Sequence, residues 1–300
     1  MKNKLCFLLL SPILLSGVGC NNSGNSDPKP VDVVVISGQS NAVGCTWSDC
    51  IQDTEKWNEY RKGYPEIQIA FDSWTKDWEG SGGYYSQNTS KNNNFVKVAL
   101  GQGNSVNTFG PEIGIAEAMH EKYANKLFLI KYACGASNLK DDWVDRNSTL
   151  YSNLIEYVQL QMNHLVEQGY APTIKAFCWM QGEGDSYPGY YGVYRDNTRT
   201  LISNLREDLS EYTGDRTLPF IDAGISNSPQ WQYYLQVNSA KKHVAEESEY
   251  NFYIDTIAAG LHTNLEPEGK VDTAHYDSES QIQLGHLFAE CFEQFLEPVE

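Results

Sequence analysis

No block of lysine or arginine interrupts this chain. It carries 22 Lys and Arg against 39 Asp and Glu, a formal charge of −17 and an isoelectric point near 4.7. Binding to nucleic acid needs cations that neutralise phosphates, so that class is excluded. Zinc-type ligand spacing is missing too: there is no CxxC pair and no His-rich cluster, and His262, Asp255 and Asp277 share no ligand spacing with His275. Also lacking is an internal repeat or a second composition regime, which leaves one domain over residues 31–300. The longest apolar run, Leu5 to Leu15, is too short to span a bilayer as a retained helix.

That run is instead read as part of an export signal, residues 1–19, with Lys2 and Lys4 before it and small residues up to Cys20 after it. Ser16-Gly17-Val18-Gly19-Cys20 resembles a bacterial lipobox, with Gly17 where Leu is usual. The expectation is a periplasmic or cell-surface lipoprotein, anchored at Cys20 and touching the membrane only through the lipid. Residues 20–30, rich in Asn, Ser, Gly, Asp and Pro, then form a flexible tether. Ordinary signal cleavage nearby is the alternative. Of seven cysteines, Cys6 and Cys20 fall in these segments. Cys45 and Cys50 are the best disulfide candidates in an exported chain, whereas Cys134 and Cys178 read as buried thiols.

With 41% hydrophobic residues, 300 residues can bury a sizeable core. Val31-Asp32-Val33-Val34-Val35-Ile36 is apolar and β-branched enough for a strand covered on both faces, and it stops in Ser37-Gly38-Gln39-Ser40-Asn41. Helical spacing follows from Pro111 to about Tyr123, and strand patterns cover 126–133 and 174–180 with a helix at 150–168 between them. Helices near 191–212, 229–247 and 278–295 alternate with extended segments at 218–226 and 250–256. About five alternations predict an α/β fold, a parallel sheet sandwiched by helices. Residues 45–107, rich in Trp, Tyr, Gly and Asn with weak periodicity, read as a loop-rich insertion. Its aromatic rings either wall a sugar site or pack its own small core.

Open parallel sheets bind ligands beyond the carboxyl ends of their strands. Ser40 lies there, and so do Gly135 and the Gln181–Asp185 turn, with Asp272 and His275 just before the last helix. Ser40 on its own fits an ordinary β-to-α turn, but together these groups suit acyl transfer. A serine hydroxyl needs a base to take its proton as it attacks a carbonyl. His275 can be that base, and Asp272 can turn back onto the other ring nitrogen. Candidate donors to the oxyanion are the backbone N–H groups of Ser40 and Gly135 and the side-chain amide of Gln181. Gln39, Asn41, Asp185 and Tyr187 are expected to meet the substrate, although the Tyr187 segment is equally a plain turn. The remaining histidines, His120, His164, His243 and His286, fall on helices and read as surface or packing residues.

Gly38-Gln39-Ser40-Asn41-Ala42 lacks the second glycine of the nucleophile elbow of α/β-hydrolases. Instead Gly38-Gln39-Ser40-Asn41, Gly110-Pro111-Glu112, Cys134-Gly135-Ala136-Ser137, Trp179-Met180-Gln181-Gly182-Glu183-Gly184-Asp185 and Asp272-Thr273-Ala274-His275 resemble blocks of the SGNH hydrolase superfamily. The likeness is greatest to its branch of sialate O-acetylesterases and family 6 carbohydrate esterases (acetyl xylan esterases). The resemblance implies a flavodoxin-like three-layer α/β/α sandwich with a nucleophile at Ser40, a base at His275, and no cofactor or metal. It further implies removal of O-acetyl groups from an acetylated oligo- or polysaccharide. Two departures matter: Ala136 stands where the branch commonly has a second Gly, and Glu183 rivals Asp272 as the acid that orients His275. A lipase or thioesterase of the same superfamily, and a surface lipoprotein that binds glycans without cleaving them, are the rival readings.

Overall fold

The computed structural model describes residues 27–77, 80–263, 266 and 271–297. The export segment, Cys20 and the tether to residue 26 lie outside them. In chain order the elements are β1 (Lys29–Gly38), α1 (Ser40–Val43), β2 (Thr46–Trp47), α2 (Thr54–Lys62), β3 (Tyr64–Lys76), β4 (Tyr84–Thr89), β5 (Val96–Val98), β6 (Thr108–Phe109), α3 (Glu112–Met119) and β7 (Leu127–Gly135). They continue with α4 (Leu139–Asp142), α5 (Thr149–Glu167), β8 (Tyr170–Met180), α6 (Tyr194–Asp208), β9 (Phe220–Ala223), α7 (Tyr234–Ala245), β10 (Asn251–Ile254) and α8 (Ser278–Phe292).

One sheet in the order β10-β9-β8-β1-β7-β3-β4 carries the fold, with β5 also paired to β3. From β10 through β3 every pairing is parallel, while β4 and β5 add antiparallel edges. The centre is β1, hydrogen-bonded to β7 on one side and β8 on the other. Val33, Val34, Val35 and Ile36 are wholly buried because both faces of this strand are covered. Each such side chain contributes about 1.5–3 kcal/mol through burial. Helices α3 and α8 pack together on one face, where Cys178 of β8 looks toward Cys291 of α8. On the other face α5, α6 and α7 cover an aromatic stack in which Trp143 meets Trp179 edge-on with centroids 5.4 Å apart. The chain is thus the expected three-layer α/β/α sandwich with a central parallel sheet.

Local chemistry sets the helix starts. Asp53, Asn138, Ser148 and Asp277 each accept a backbone N–H of the first turn of α2, α4, α5 and α8, a cap that typically stabilises by about 1 kcal/mol. Asp277 is therefore a helix cap.

Three expectations are corrected. β1 begins at Lys29, so the last residues assigned to the tether are already strand. The stretch 45–107 is less loop-rich than its periodicity suggested: it holds α2 and the 13-residue β3, whose Ile67, Ile69 and Phe71 enter the core beside β7. Cys45 and Cys50 are both free thiols, not a disulfide.

Where the strands end, the diverging loops are tied by one buried cation. Lys131 of β7 is fully buried, and its Nζ donates to Val43 O at 3.0 Å, Gln102 O at 2.7 Å and Glu112 Oε2 at 2.7 Å. Glu112, equally buried, accepts the Gly110 N–H through its other oxygen at 2.8 Å. Burial presses the Lys131 ammonium toward its neutral form, and Glu112 opposes that. Replacing Lys131 by Met strands the Glu112 carboxylate, and the expected loss is about 3–5 kcal/mol, read as a lower urea midpoint. Adding Glu112→Gln to Lys131→Met is expected to recover part of that loss; a single variant as stable as the parent would contradict the pair's structural role.

Candidate active site

The first turn after β1 is shaped by Gly38. Its φ is +138°, and a Cβ built there would lie 2.0 Å from Met180 O, so only glycine lets β1 run this close to β8. The chain then turns into α1, which begins at Ser40 and places this residue at the floor of a cleft of about 440 Å³. His275, from the segment before α8, lines the same cleft, as does Gly135 at the end of β7. Ser40 and Gly135, expected at strand ends, thus meet His275, expected just before the last helix, in one space. A Cβ on Gly135 would stand 3.8 Å from Ser40 Cβ and 3.5 Å from Thr75 Oγ1. That is ordinary contact, so glycine here keeps the space beside Ser40 open rather than relieving a clash.

His275 is oriented by Asp272, whose Oδ2 lies 2.6 Å from Nδ1. Oδ1 of the same carboxylate accepts the N–H of Ala274 at 2.9 Å and that of His275 at 3.3 Å. The turn holds the carboxylate, and the carboxylate holds the ring with Nε2 as its remaining nitrogen. Burial works against a charged imidazole, but the adjoining Cys45 sulfur and the Asp272 carboxylate outweigh it and hold the pKa up at about 10. Asp272 is itself held below the usual carboxylate range: burial favours its neutral form, and the bonds to His275 overcome that.

Glu183, the rival acid, does not bond the ring. It is fully buried and accepts Asn41 Nδ2 at 2.7 Å through Oε1, while Oε2 has no partner among the described residues. Burial raises its pKa. Asn41 also stays out of the cleft lining. Its Oδ1 accepts the Tyr276 N–H at 3.1 Å and its backbone oxygen accepts Gln281 Nε2 at 2.9 Å, so it ties α1 to the residue after His275 and to α8. Its expected contact with substrate gives way to this role.

Asp185 and Gln181 are likewise turned inward. Asp185 is buried, accepts Leu139 N at 2.7 Å and Gln181 Nε2 at 2.6 Å, and burial lifts its pKa to about 6. Gln181, fully buried, lines no part of the cleft. Tyr187 and Gln39 do line it, as expected. So do residues that sequence reasoning missed: Cys45, Thr75, Gln87, Asn104, Ala136, Gln230 and Trp231. Trp231 follows the carboxyl end of β9, a position the strand pattern points to; Gln87 and Asn104 carried no signal. Ala136 has φ +69°, a left-handed conformation that explains why a second glycine suits this place and that strains an alanine by about 1–2 kcal/mol. The other histidines play packing or surface parts: His120 lies against the Tyr64 ring, centroids 4.7 Å apart, and His286 meets Glu117 at 2.9 Å. Among the described residues no group of His, Cys, Asp and Glu is arranged to hold a metal ion.

Comparisons with known proteins identify the family and the fold. The model of a family described as carbohydrate esterase, sialic acid-specific acetylesterase (SASA) matches residues 30–294. None of the curated proteins compared matches the chain. Among solved structures the fold is similar to a protein from Arabidopsis thaliana, at 22% identity and a TM-score of 0.59 over 89% of this chain and 100% of that one. NanS aligns at 14% identity and 0.59 over 90% and 98%. XAC1771, a carbohydrate acetylesterase from Xanthomonas citri, aligns at 15% and 0.55 over 88% of this chain and 56% of its own. Those likenesses establish the fold. The family match spans nearly the whole described chain, which therefore belongs to the carbohydrate esterase, sialic acid-specific acetylesterase family and is a hydrolase of carbohydrate acetyl esters.

Proposed function

We propose that the protein deacetylates an uncharged glycan of more than one sugar unit through an acetyl-enzyme on Ser40. The observation that carries this reading is the meeting of Ser40, Gly135 and the Asp272-oriented His275 in one cleft. His275 Nε2 takes the Ser40 proton as Oγ attacks the acetyl carbon. The N–H groups of Ser40 and Gly135 receive the negative charge that forms on the carbonyl oxygen. As the carbon–oxygen bond to the sugar breaks, the imidazolium returns its proton to the departing hydroxyl. Water, deprotonated by the same ring, then releases acetate and restores the serine.

The walls support an uncharged sugar. Gln87, Asn104 and Gln230 offer amides, Tyr187 and Trp231 offer ring faces, and no Lys or Arg among the described residues lines the cleft. An outer position for a second ring is supported by strand register. Gly135 pairs with Thr75, and Thr75 pairs with Tyr85, so the three stand side by side on successive strands. At roughly 4.8 Å per strand, Tyr85 lies about 10 Å from Gly135. Tyr85 is 52% exposed and lies on β4 two residues before Gln87, which lines the cleft. Lys2, Lys4, the apolar run and Cys20 support export and lipid anchoring, which would place the enzyme where such polymers are met. Mass spectrometry of the mature amino terminus is expected to find a diacylated Cys20; an unmodified terminus elsewhere would remove the anchor from this reading.

Acetate release from acetylated xylo-oligosaccharide, O-acetylated sialic acid and an aryl acetate tests the chemistry and the substrate together. Ser40→Ala is expected to abolish release from all three, with the oligosaccharide the best substrate of the parent. Tyr85→Ala is expected to lower kcat/KM up to about tenfold on the oligosaccharide, the worth of one aromatic contact, and to leave the aryl acetate unchanged. A preference for sialic acid, or an equal loss on the aryl acetate, would count against the neutral-sugar wall.

Because the base form of His275 predominates only above its raised pKa, kcat/KM is expected to keep climbing at pH values well above the ordinary imidazole value of about 6.5. Removing the sulfur in Cys45→Ala takes away one support of the cation, so the rising limb should move to lower pH. A limb that stays put in this variant would show that Cys45 does not tune the base.

A further inference from the structure

Gln181 has no hydrogen to offer an oxyanion. Its Nε2 carries two; the acceptors in reach are Asp185 Oδ2 at 2.6 Å and Gln39 Oε1 at 3.2 Å, while its own oxygen takes the Tyr194 hydroxyl at 3.1 Å. An amide with both hydrogens committed to protein acceptors cannot also serve a substrate oxygen. The second acceptor is informative. Gln39 Oε1 receives Gln181 Nε2, Gly182 N at 3.3 Å and Gly184 N at 3.1 Å. Three donors converging on one atom settle which end of the Gln39 amide is oxygen, since a half-turn would set NH₂ against three N–H groups.

The nitrogen of that amide is left for the cleft. Gln39 lines the cleft, and no described residue accepts a hydrogen bond from its Nε2. Nor does Nε2 number among the buried side-chain atoms without a partner, so it is reached from the open space. The backbone beneath is fixed: Gln39 N donates to Met180 O at 2.9 Å, and Gln39 O accepts the N–H groups of Ala42 and Val43, each at 2.8 Å. Gln39 immediately precedes Ser40, so one short stretch of backbone carries both the nucleophile and this donor.

We propose that Gln39 Nε2 is the side-chain donor to the oxyanion formed at Ser40, completing the site begun by the Ser40 and Gly135 N–H groups. The proposal rests on the serine-esterase reading. Gln181 then acts as a positioning residue: with Gly182 and Gly184 it grips the oxygen of Gln39 and aims the nitrogen.

Gln39→Glu tests it, because the introduced side chain keeps the shape and an oxygen for all three donors but loses the NH₂. Above about pH 8 its carboxyl is ionised. With an aryl acetate, kcat is expected to fall about 10²–10³-fold, with KM within about threefold. Inhibition by a small alkyl boronic acid, which forms a tetrahedral adduct on Ser40, should weaken by a similar factor. Gln39→Met, apolar and uncharged, is the second variant should the first not fold, with the same expected pattern. A folded variant of either kind with kcat within about fivefold of the parent would overturn the proposal, and so would a lowered kcat with undiminished boronate affinity. Loss of the underlying reading is told apart by Ser40→Ala: if that variant still turns over the aryl acetate, the serine mechanism fails before Gln39 is in question.

Discussion

A buried ammonium holds the reactive end of this molecule together. Lys131 rises from the middle strand pair and meets three acceptors that belong to three different segments: the end of α1, the 99–107 loop and the start of α3. Loops that leave a parallel sheet diverge by construction, and in water one ion pair would do little to gather them. Sealed from solvent, with every ammonium hydrogen and the partner carboxylate's second oxygen occupied, the same pair is directional and strong. Two residues beyond Val43 stands Cys45, and two beyond Gln102 stands Asn104, both in the cleft wall. The Gly110-Pro111-Glu112 block therefore belongs to the site without touching it.

The floor of the cleft follows a similar logic with the signs reversed. Glu183, Asp185 and Asp222 are all buried, and Lys241, bonded to Asp222 Oδ1 and Ala223 O, is the cation among them. Burial raises the pKa of all three acids, with Asp185 and Asp222 near 6. Glu183 and Asp185 take hydrogen bonds from amide and backbone groups, which fixes the Gln181–Asp185 turn against the start of α1, while Asp222 takes the Lys241 ammonium. Among the described residues the carboxylate that bonds the His275 ring is the partly exposed Asp272, held below the usual carboxylate range by those bonds.

Much of this was legible in the sequence, for identifiable reasons. β1, β7 and β8 are buried on both faces, so they read as continuous apolar runs, and the groups at their ends are found by asking where those runs stop. Asp272 and His275 are three residues apart, a separation one turn can close without help from the rest of the fold. β3 escaped notice because its last residues, Trp74 to Lys76, are only partly buried and pair with a polar edge strand, which blurs its alternation. Gln181 was misassigned for a different reason. An amide's chemistry depends on which of its ends is already engaged, and that is decided by Asp185, Gln39 and Tyr194, residues whose meeting no local pattern records. Cys45 and Cys50 looked like a pair from spacing alone, but the fold sends Cys45 to the imidazole.

The hairpin of β3 and β4 has a consequence for descent. It hangs on the open edge of the sheet, supplies Tyr85 and Gln87, and reaches the neighbourhood of Gly135 through Trp74 and Thr75. In the proposed mechanism the nucleophile, base and anion-stabilising groups come from the junction of β1 and α1, the end of β7 and the segment before α8. Mutations accumulating on the hairpin can therefore remodel which glycan is accepted while the reacting atoms stay where they are. Lineages built on this scaffold would be free to diverge in diet faster than in chemistry.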